Sequence, residues 1–275
     1  MKKRGEIKRG RINGLNRWPY FIAIVLIVVL LSSILTIVLS NVYYNTVQKI
    51  KEKENQRNNE KIEFTIKKPL INSTQVIVKM PAVDDEGNGV ITLLVVEAIP
   101  GSGRTLVDID NLLFWADTQG SIRMAKNVAE NISGIDADNF DIVYNIYANA
   151  SIIGGESAGA ALAIATIAAL ENKNISDKVI ITGTVNHDGT IGPVGGILAK
   201  AKAAKSENAT LFLVPLLQSR EVVYESREHC EKFGPGEFCR IEQVPVTVNV
   251  GNESQIEIKE VGTIREAFDY FLEED

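Results

Sequence analysis

Cysteine and histidine are nearly absent from this chain, two of each in 275 residues. Together they are only the minimum that a Cys2His2 zinc site needs, and His229 with the two cysteines is one ligand short of it, so no metal is expected. Any Ser-His-Asp scheme is limited to His187 and His229. Cations are also in deficit, with Lys+Arg 29 against Asp+Glu 35 for a net charge of −6. That balance argues against nucleic acid as a main partner, because neutralising phosphates needs clustered cations. Internal repeats are lacking. A charged fraction of 23% and a hydrophobic fraction of 45% exclude a disordered, collagenous or coiled-coil chain.

Charge is missing altogether from Phe21 to Leu39, FIAIVLIVVLLSSILTIVL. As a helix this run is roughly 28 Å long, about the thickness of a bilayer's hydrocarbon core. Trp18 and Tyr20 stand at one end, Tyr43 and Tyr44 at the other, as interfacial aromatics do. A cleaved signal peptide is the alternative, but its apolar core is shorter and ends in small residues, unlike Leu39-Ser40-Asn41. Lys2, Lys3, Arg4, Lys8, Arg9, Arg11 and Arg17 precede the run, and the first cation after it is Lys49. The positive-inside rule then keeps the N-terminus in the cytoplasm and places the remainder outside a cell membrane crossed once.

Two further features fit that placement. Sequons of the N-x-[ST] type occur at Asn72, Asn131, Asn149, Asn174, Asn208 and Asn252. Cys230 and Cys239 flank Gly234-Pro235-Gly236, and in an oxidising compartment such a pair is expected to close a short loop by a disulfide. Two unrelated thiols is the alternative.

The expected organisation is a basic N-terminus over 1–20, a transmembrane anchor over 21–42, a polar helical stalk over 43–62 and one α/β domain over 63–275. Strands are predicted at 76–78, 90–96, 141–148, 179–182 and 211–214, with a further one within 107–114. Helices are predicted at 121–131, 157–170, 197–205 and 264–272. The stretch 157–170, SAGAALAIATIAAL, is apolar on every side, as a helix at the centre of a domain is. Residues 183–196 read as a Gly-rich hairpin or loop.

Candidate chemistry begins at Gly154-Gly155-Glu156-Ser157-Ala158-Gly159. Small residues around a serine let a substrate approach the backbone. Ser157 falls at the predicted N-cap of the buried helix, where free N–H groups and the helix dipole favour a developing negative charge. An ordinary capping serine fits the same pattern.

A nucleophilic serine needs a base. On the helix from Ile197, an apolar stripe runs through Ile197, Ala201 and Ala204. Lys200 lies about 65° from its centre and Lys202 about 135°. Lys205 does as well as Lys200 on this wheel. A desolvated lysine loses basicity and can take a proton near neutrality; a lysine snorkelling to solvent is the alternative.

The segment from roughly Val76 to Leu272 resembles the proteolytic domain of the Lon-type serine peptidases. The matching pieces are Val96-Glu97-Ala98 with Pro100-Gly101, Gly120-Ser121 opening a helix, Ser157-Ala158-Gly159, Thr182-Gly183, and Gly189 through Pro193-Val194-Gly195-Gly196 to Lys200. The resemblance implies a compact α/β (α+β) fold of the ribosomal-protein-S5-domain-2 type. It makes Ser157 the nucleophile, Lys200 its general base and Thr182 the hydroxyl that orients the lysine; backbone amides near Ser157 and Ala158 are then expected to hold the oxyanion. It also allows for a homo-oligomer, since the family often forms rings. Where many members carry an acidic residue three positions before the serine, this chain has Gly154; Glu156 is a candidate substitute or only shapes the loop.

The family's ATP-driven module is not in this sequence. Gly101-Ser102-Gly103-Arg104-Thr105 mimics the end of a phosphate loop, but Ala98 and Arg104 stand where that motif has Gly and Lys. The expectation is therefore a membrane-anchored, ATP-independent peptidase without cofactor, acting on unfolded or exposed polypeptides. Two other readings stay open. Gly155-x-Ser157-x-Gly159 also fits the nucleophile elbow of an α/β-hydrolase, an esterase with His229 closing a triad. The third is a catalytically inactive peptide-binding module.

Overall fold

The computed structural model describes residues 40–41, 44–45, 48–49, 66, 68–70, 72–108, 113–114, 116–148, 152–153, 155–234 and 236–272. The apolar run 21–39 lies outside them. Among the described residues no helix is long and apolar enough to cross a membrane. Residues from Phe64 onward form one compact unit, distinct from Met1–Glu63.

A four-stranded sheet forms one side of the domain. It consists of β1 (Thr74–Val83), β2 (Gly89–Pro100), β3 (Thr105–Val107) and, after β4 (Leu113–Phe114) and α1 (Ala116–Ser133), β5 (Phe140–Tyr147). The order is β1-β2-β5-β3, with β1, β2 and β5 antiparallel neighbours and β3 parallel to β5. Every second residue, Val76, Val78, Met80, Leu94, Val96, Ala98, Ile142, Tyr144 and Ile146, lies on one buried face. The region 107–114 therefore holds two short strands, and α1 starts at Ala116. Gly120-Ser121 lies inside α1 instead of opening it.

A short strand β6 (Ile152–Ile153) pairs with β4 and precedes α2 (Gly159–Glu171). From Gly159 to Leu170 every residue of α2 is buried. Its alanines let neighbours come close on all sides: the four-stranded sheet, α1, and the terminal helix α5 defined below. Leu162, Ile164 and Ile167 are fully enclosed, and truncating one to alanine is expected to cost about 2–5 kcal/mol. Asn172 at φ 53° ends the helix, with its N–H on Ala168 O. One polar pair crosses this core, Tyr144 OH and Thr166 Oγ1 at 3.0 Å.

The second half supplies a three-stranded parallel sheet. β7 (Val179–Ile181) leads into a hairpin of β8 (Thr184–Val185) and β9 (Ile191–Gly192), then α3 (Ile197–Ser206) and β10 (Leu211–Pro215). A long hairpin of β11 (Arg220–Phe233) and β12 (Gly236–Asn249) follows, then α4 (Val250–Ser254), β13 (Glu257–Val261) and α5 (Ile264–Phe271). β10 is central, between β13 and β7. Its Leu213 joins the core around α2, while Phe212 and Val214 pack on α3 through Ile197, Ala201 and Ala204. Alternation along β10 thus divides one strand between two cores.

The β11–β12 hairpin has no counterpart among the predicted strands. Cys230 and Cys239 are directly opposed in its ladder and joined by a disulfide. The expected disulfide thus closes a short loop and at the same time staples two long strands.

Candidate active site

Ser157 sits in a single 3-10 turn, Glu156–Ala158, directly ahead of α2. The N-cap of α2 is Ala158, and neither turn nor helix has a side-chain cap hydrogen bond. Ser157 is therefore not the capping residue that local sequence suggested. Gly155 enters the turn at φ 110°, a backbone region that favours glycine. The Ser157 carbonyl accepts Gly183 N–H at 3.1 Å and Thr182 Oγ1–H at 3.3 Å, and Ala160 N–H returns to Gly183 O at 3.0 Å. These bonds tie the start of α2 to the end of β7. Gly159 permits the approach, since a Cβ there would lie 2.9 Å from both Val185 N and Val185 Cγ1.

Thr182 is fully buried, and its N–H donates to Leu213 O at 3.1 Å. Its hydroxyl also receives a hydrogen bond from Lys200 Nζ at 3.3 Å. One threonine thus bridges the backbone of Ser157 and the amine of Lys200. Lys200 is only 4% exposed, whereas Lys202 and Lys205 are exposed. The helical wheel left Lys200 and Lys205 equivalent; the seat of α3 on the three-stranded sheet separates them.

Burial pushes the Lys200 ammonium down from 10.5 to about 8, against an opposing pull from the Glu221 carboxylate. An amine of that basicity is free of its proton in a useful fraction near neutrality and can act as a base. Glu221 and Gln218 were not singled out from the sequence. Leu198 N–H donates to Glu221 Oε2 at 2.6 Å, and Gln218 exchanges two hydrogen bonds with the backbone of Val194 at 2.9 and 2.7 Å. No motif marks either residue; only the path of the chain from β10 into β11 brings them to the start of α3.

The other candidates lie elsewhere. Glu156 is exposed beside Ser157, and Gly154 lies outside the described residues. His187 is exposed in the β8–β9 turn. His229 is half exposed on the hairpin, with Nε2 3.5 Å from Glu231 Oε1, and among the described residues no hydrogen bond or ion pair joins it to Ser157. Glu228, Cys230 and Cys239 are close enough to suggest a metal cluster, but the disulfide occupies both sulfurs. The phosphate-loop mimic closes on Asp141: Ser102 N–H and Arg104 N–H donate to Oδ1 at 2.9 and 3.0 Å, and the Arg104 guanidinium holds Oδ2. An internal carboxylate fills the place a phosphate would take.

At the head of the buried helix the backbone carbonyl of Ser157 is linked through the Thr182 hydroxyl to the buried Lys200 amine, an arrangement suited to lysine-assisted hydrolysis. Residues 116–229 match the family model of the Lon protease (S16) C-terminal proteolytic domain. The chain is 28% identical over 148 residues to the archaeal Lon protease of Thermoplasma volcanium, covering 54% of this chain and 22% of that protein. It is 26% identical over 153 residues to the archaeal Lon protease of Methanothermobacter thermautotrophicus, covering 53% and 23%. To Lon protease 2 of Bacillus subtilis it is 33% identical over 98 residues, covering 34% and 18%. The match spans about a fifth of the length of these relatives. Over residues 116–229 the chain is similar to a Lon-type peptidase domain.

Proposed function

We propose that the chain is a serine endopeptidase in which Ser157 is the nucleophile and Lys200 its base. The observation that carries this reading is the buried Lys200 Nζ donating to Thr182 Oγ1, whose own hydroxyl is held on the Ser157 carbonyl. Ser157 Oγ attacks the peptide carbonyl carbon while its proton passes to neutral Lys200 Nζ. The backbone amides of Ser157 and Ala158 hold the oxyanion. On collapse the C–N bond breaks and the lysine returns its proton to the leaving amine. Water then enters by the same route, releasing the acid and restoring the Ser157 hydroxyl.

The wider assignment is a membrane-anchored, ATP-independent enzyme that cuts unfolded or exposed polypeptides on the outer side of the membrane. It is supported by the charge-free run Phe21–Leu39, the cations ahead of it and the sequons after it. The closure of the Gly101–Arg104 loop on Asp141 supports independence from ATP. The test is hydrolysis of a denatured casein-type substrate by the full chain. Ser157→Ala and Lys200→Ala are expected to abolish turnover, while His187→Ala and His229→Ala retain it. Loss of turnover in Ser157→Ala and His229→Ala with Lys200→Ala still active would indicate a histidine triad, and a parent chain without turnover would leave a binding module.

A further inference from the structure

α3 begins without a cap of its own: Gly196, in the left-handed region at φ 68°, has no side chain to offer its first amides. The connection from β10 to β11 supplies what is missing. Gln218 grips Val194 from both sides of its peptide, and Glu221 takes the Leu198 N–H at 2.6 Å. Lys200 lies two residues beyond Leu198, in the same first turn. The half-buried Glu221 side chain also walls an open groove with Gly87–Gly89 and the outer face of α3.

We propose that Glu221 is a positioning residue, which holds the first turn of α3 through the Leu198 amide and so fixes where Lys200 presents its amine. The inference rests on the reading of Lys200 as the base. Glu221 also places a negative charge near an amine that has no ion-pair partner among the described residues. The other charged groups on the elements around α3 are exposed or bonded to other partners: Glu97 of β2 accepts from Leu70 N–H and Ser73 Oγ–H, and Asp84 at the β1–β2 turn accepts Asn88 N–H. Lys202 and Lys205 are exposed, Lys79 of β1 donates to Glu207 O at the far end of the helix, and Glu260 of β13 accepts Ser219 N–H. Glu156 and Glu253 of α4 are exposed. Glu221 therefore has two effects on one lysine: it anchors the helix and it favours the protonated amine.

The full chain, labelled with 13C at lysine Cε, reports the Lys200 titration directly by NMR, the signal being assigned by its loss in Lys200→Arg. Hydrolysis of denatured casein against pH is measured on the same variants. In Glu221→Gln, which the open groove accommodates and which still accepts the Leu198 N–H, the amine midpoint and the acid limb of kcat/KM are both expected to move to lower pH. Glu221→Asp, which keeps the charge, is expected to hold both above the Gln variant. Glu221→Ala loses the helix contact as well, and its plateau kcat is expected to fall about tenfold. An amine midpoint unchanged in both Glu221→Gln and Glu221→Ala overturns the inference, whatever happens to hydrolysis. A midpoint that moves in a chain without hydrolytic activity removes the peptidase reading and leaves the linkage between Glu221 and Lys200 standing.

Discussion

Lys200 Nζ and the Ser157 carbonyl meet on the same Thr182 hydroxyl, each at 3.3 Å. The hydroxyl receives from the amine and donates to the carbonyl, so its proton direction is fixed and the amine keeps its lone pair free once neutral. Removing the hydroxyl in Thr182→Val is expected to lower kcat about 10- to 100-fold, and Thr182→Ser to restore most of it. Equal kcat in Thr182→Val and the parent chain would show that the threonine only packs.

The base must be neutral to act, so activity is expected to rise with pH through about 8, where burial has brought the Lys200 amine. Below that value the protonated amine cannot accept the serine proton. A kcat/KM profile set instead by a group near ~6.5 would mean that a histidine governs the reaction.

The same shift has a cost in stability. Between about 8 and the ordinary 10.5 the unfolded chain holds a proton on Lys200 that the folded chain has lost. Stability contributed by this site therefore rises with pH across that window, and below it the full penalty of burying the ammonium is present. Lys200→Met is expected to stabilise the domain by on the order of 3 kcal/mol at neutral pH, with the gain fading toward the upper end of the window. Denaturant unfolding at two pH values checks it; a variant less stable than the parent at neutral pH would contradict the sign.

Gly89 governs how closely β2 approaches the helix that carries the lysine. A Cβ at this position would lie 1.9 Å from Ala199 O, a backbone atom that cannot step aside alone. Gly89→Ala is expected to push α3 outward, to destabilise the domain by about 1–3 kcal/mol, and to depress kcat at temperatures where the fold persists. Unchanged melting and activity would show that α3 is less firmly seated than the contact requires.

Asp141 is expected to matter for acid stability and not for nucleotide binding. The Arg104 guanidinium, with the amides of Ser102 and Arg104, holds its carboxyl well below the usual carboxylate range. Its contribution is fully present above the unfolded value of about 3.9 and is lost as pH falls through the lower folded value. Asp141→Asn is expected to lower the melting temperature at neutral pH and to flatten the acid side of the stability profile. Nucleotide should leave the melting temperature of the parent unchanged; a saturable rise would assign the Gly101–Arg104 loop a ligand.

Much of this was legible in the sequence, for identifiable reasons. α2 announces itself because a helix enclosed on all sides is apolar at every position. β1 and β2 stand out as β-branched runs bounded by turn residues and β5 by its sequence alternation, and one face of their sheet meets that helix. Ser157 stands out through the small residues around it, whereas Lys200 stands out only through the family resemblance.

The long hairpin was not legible. Tyr224, Phe238 and Ile241 are exposed among charged neighbours, so neither face carries the alternation that marks a half-buried strand. The choice of Lys200 over Lys205 was likewise beyond one-dimensional reasoning, since a helical wheel ranks faces but cannot say how far the partner sheet extends. Glu221 reaches the start of α3 only because β10 runs through the sheet and turns back beside it. Local periodicity records which side of an element is buried; which distant residue meets that side is settled by packing between elements, and only the folded chain brings Ser157, Thr182, Lys200 and Glu221 together.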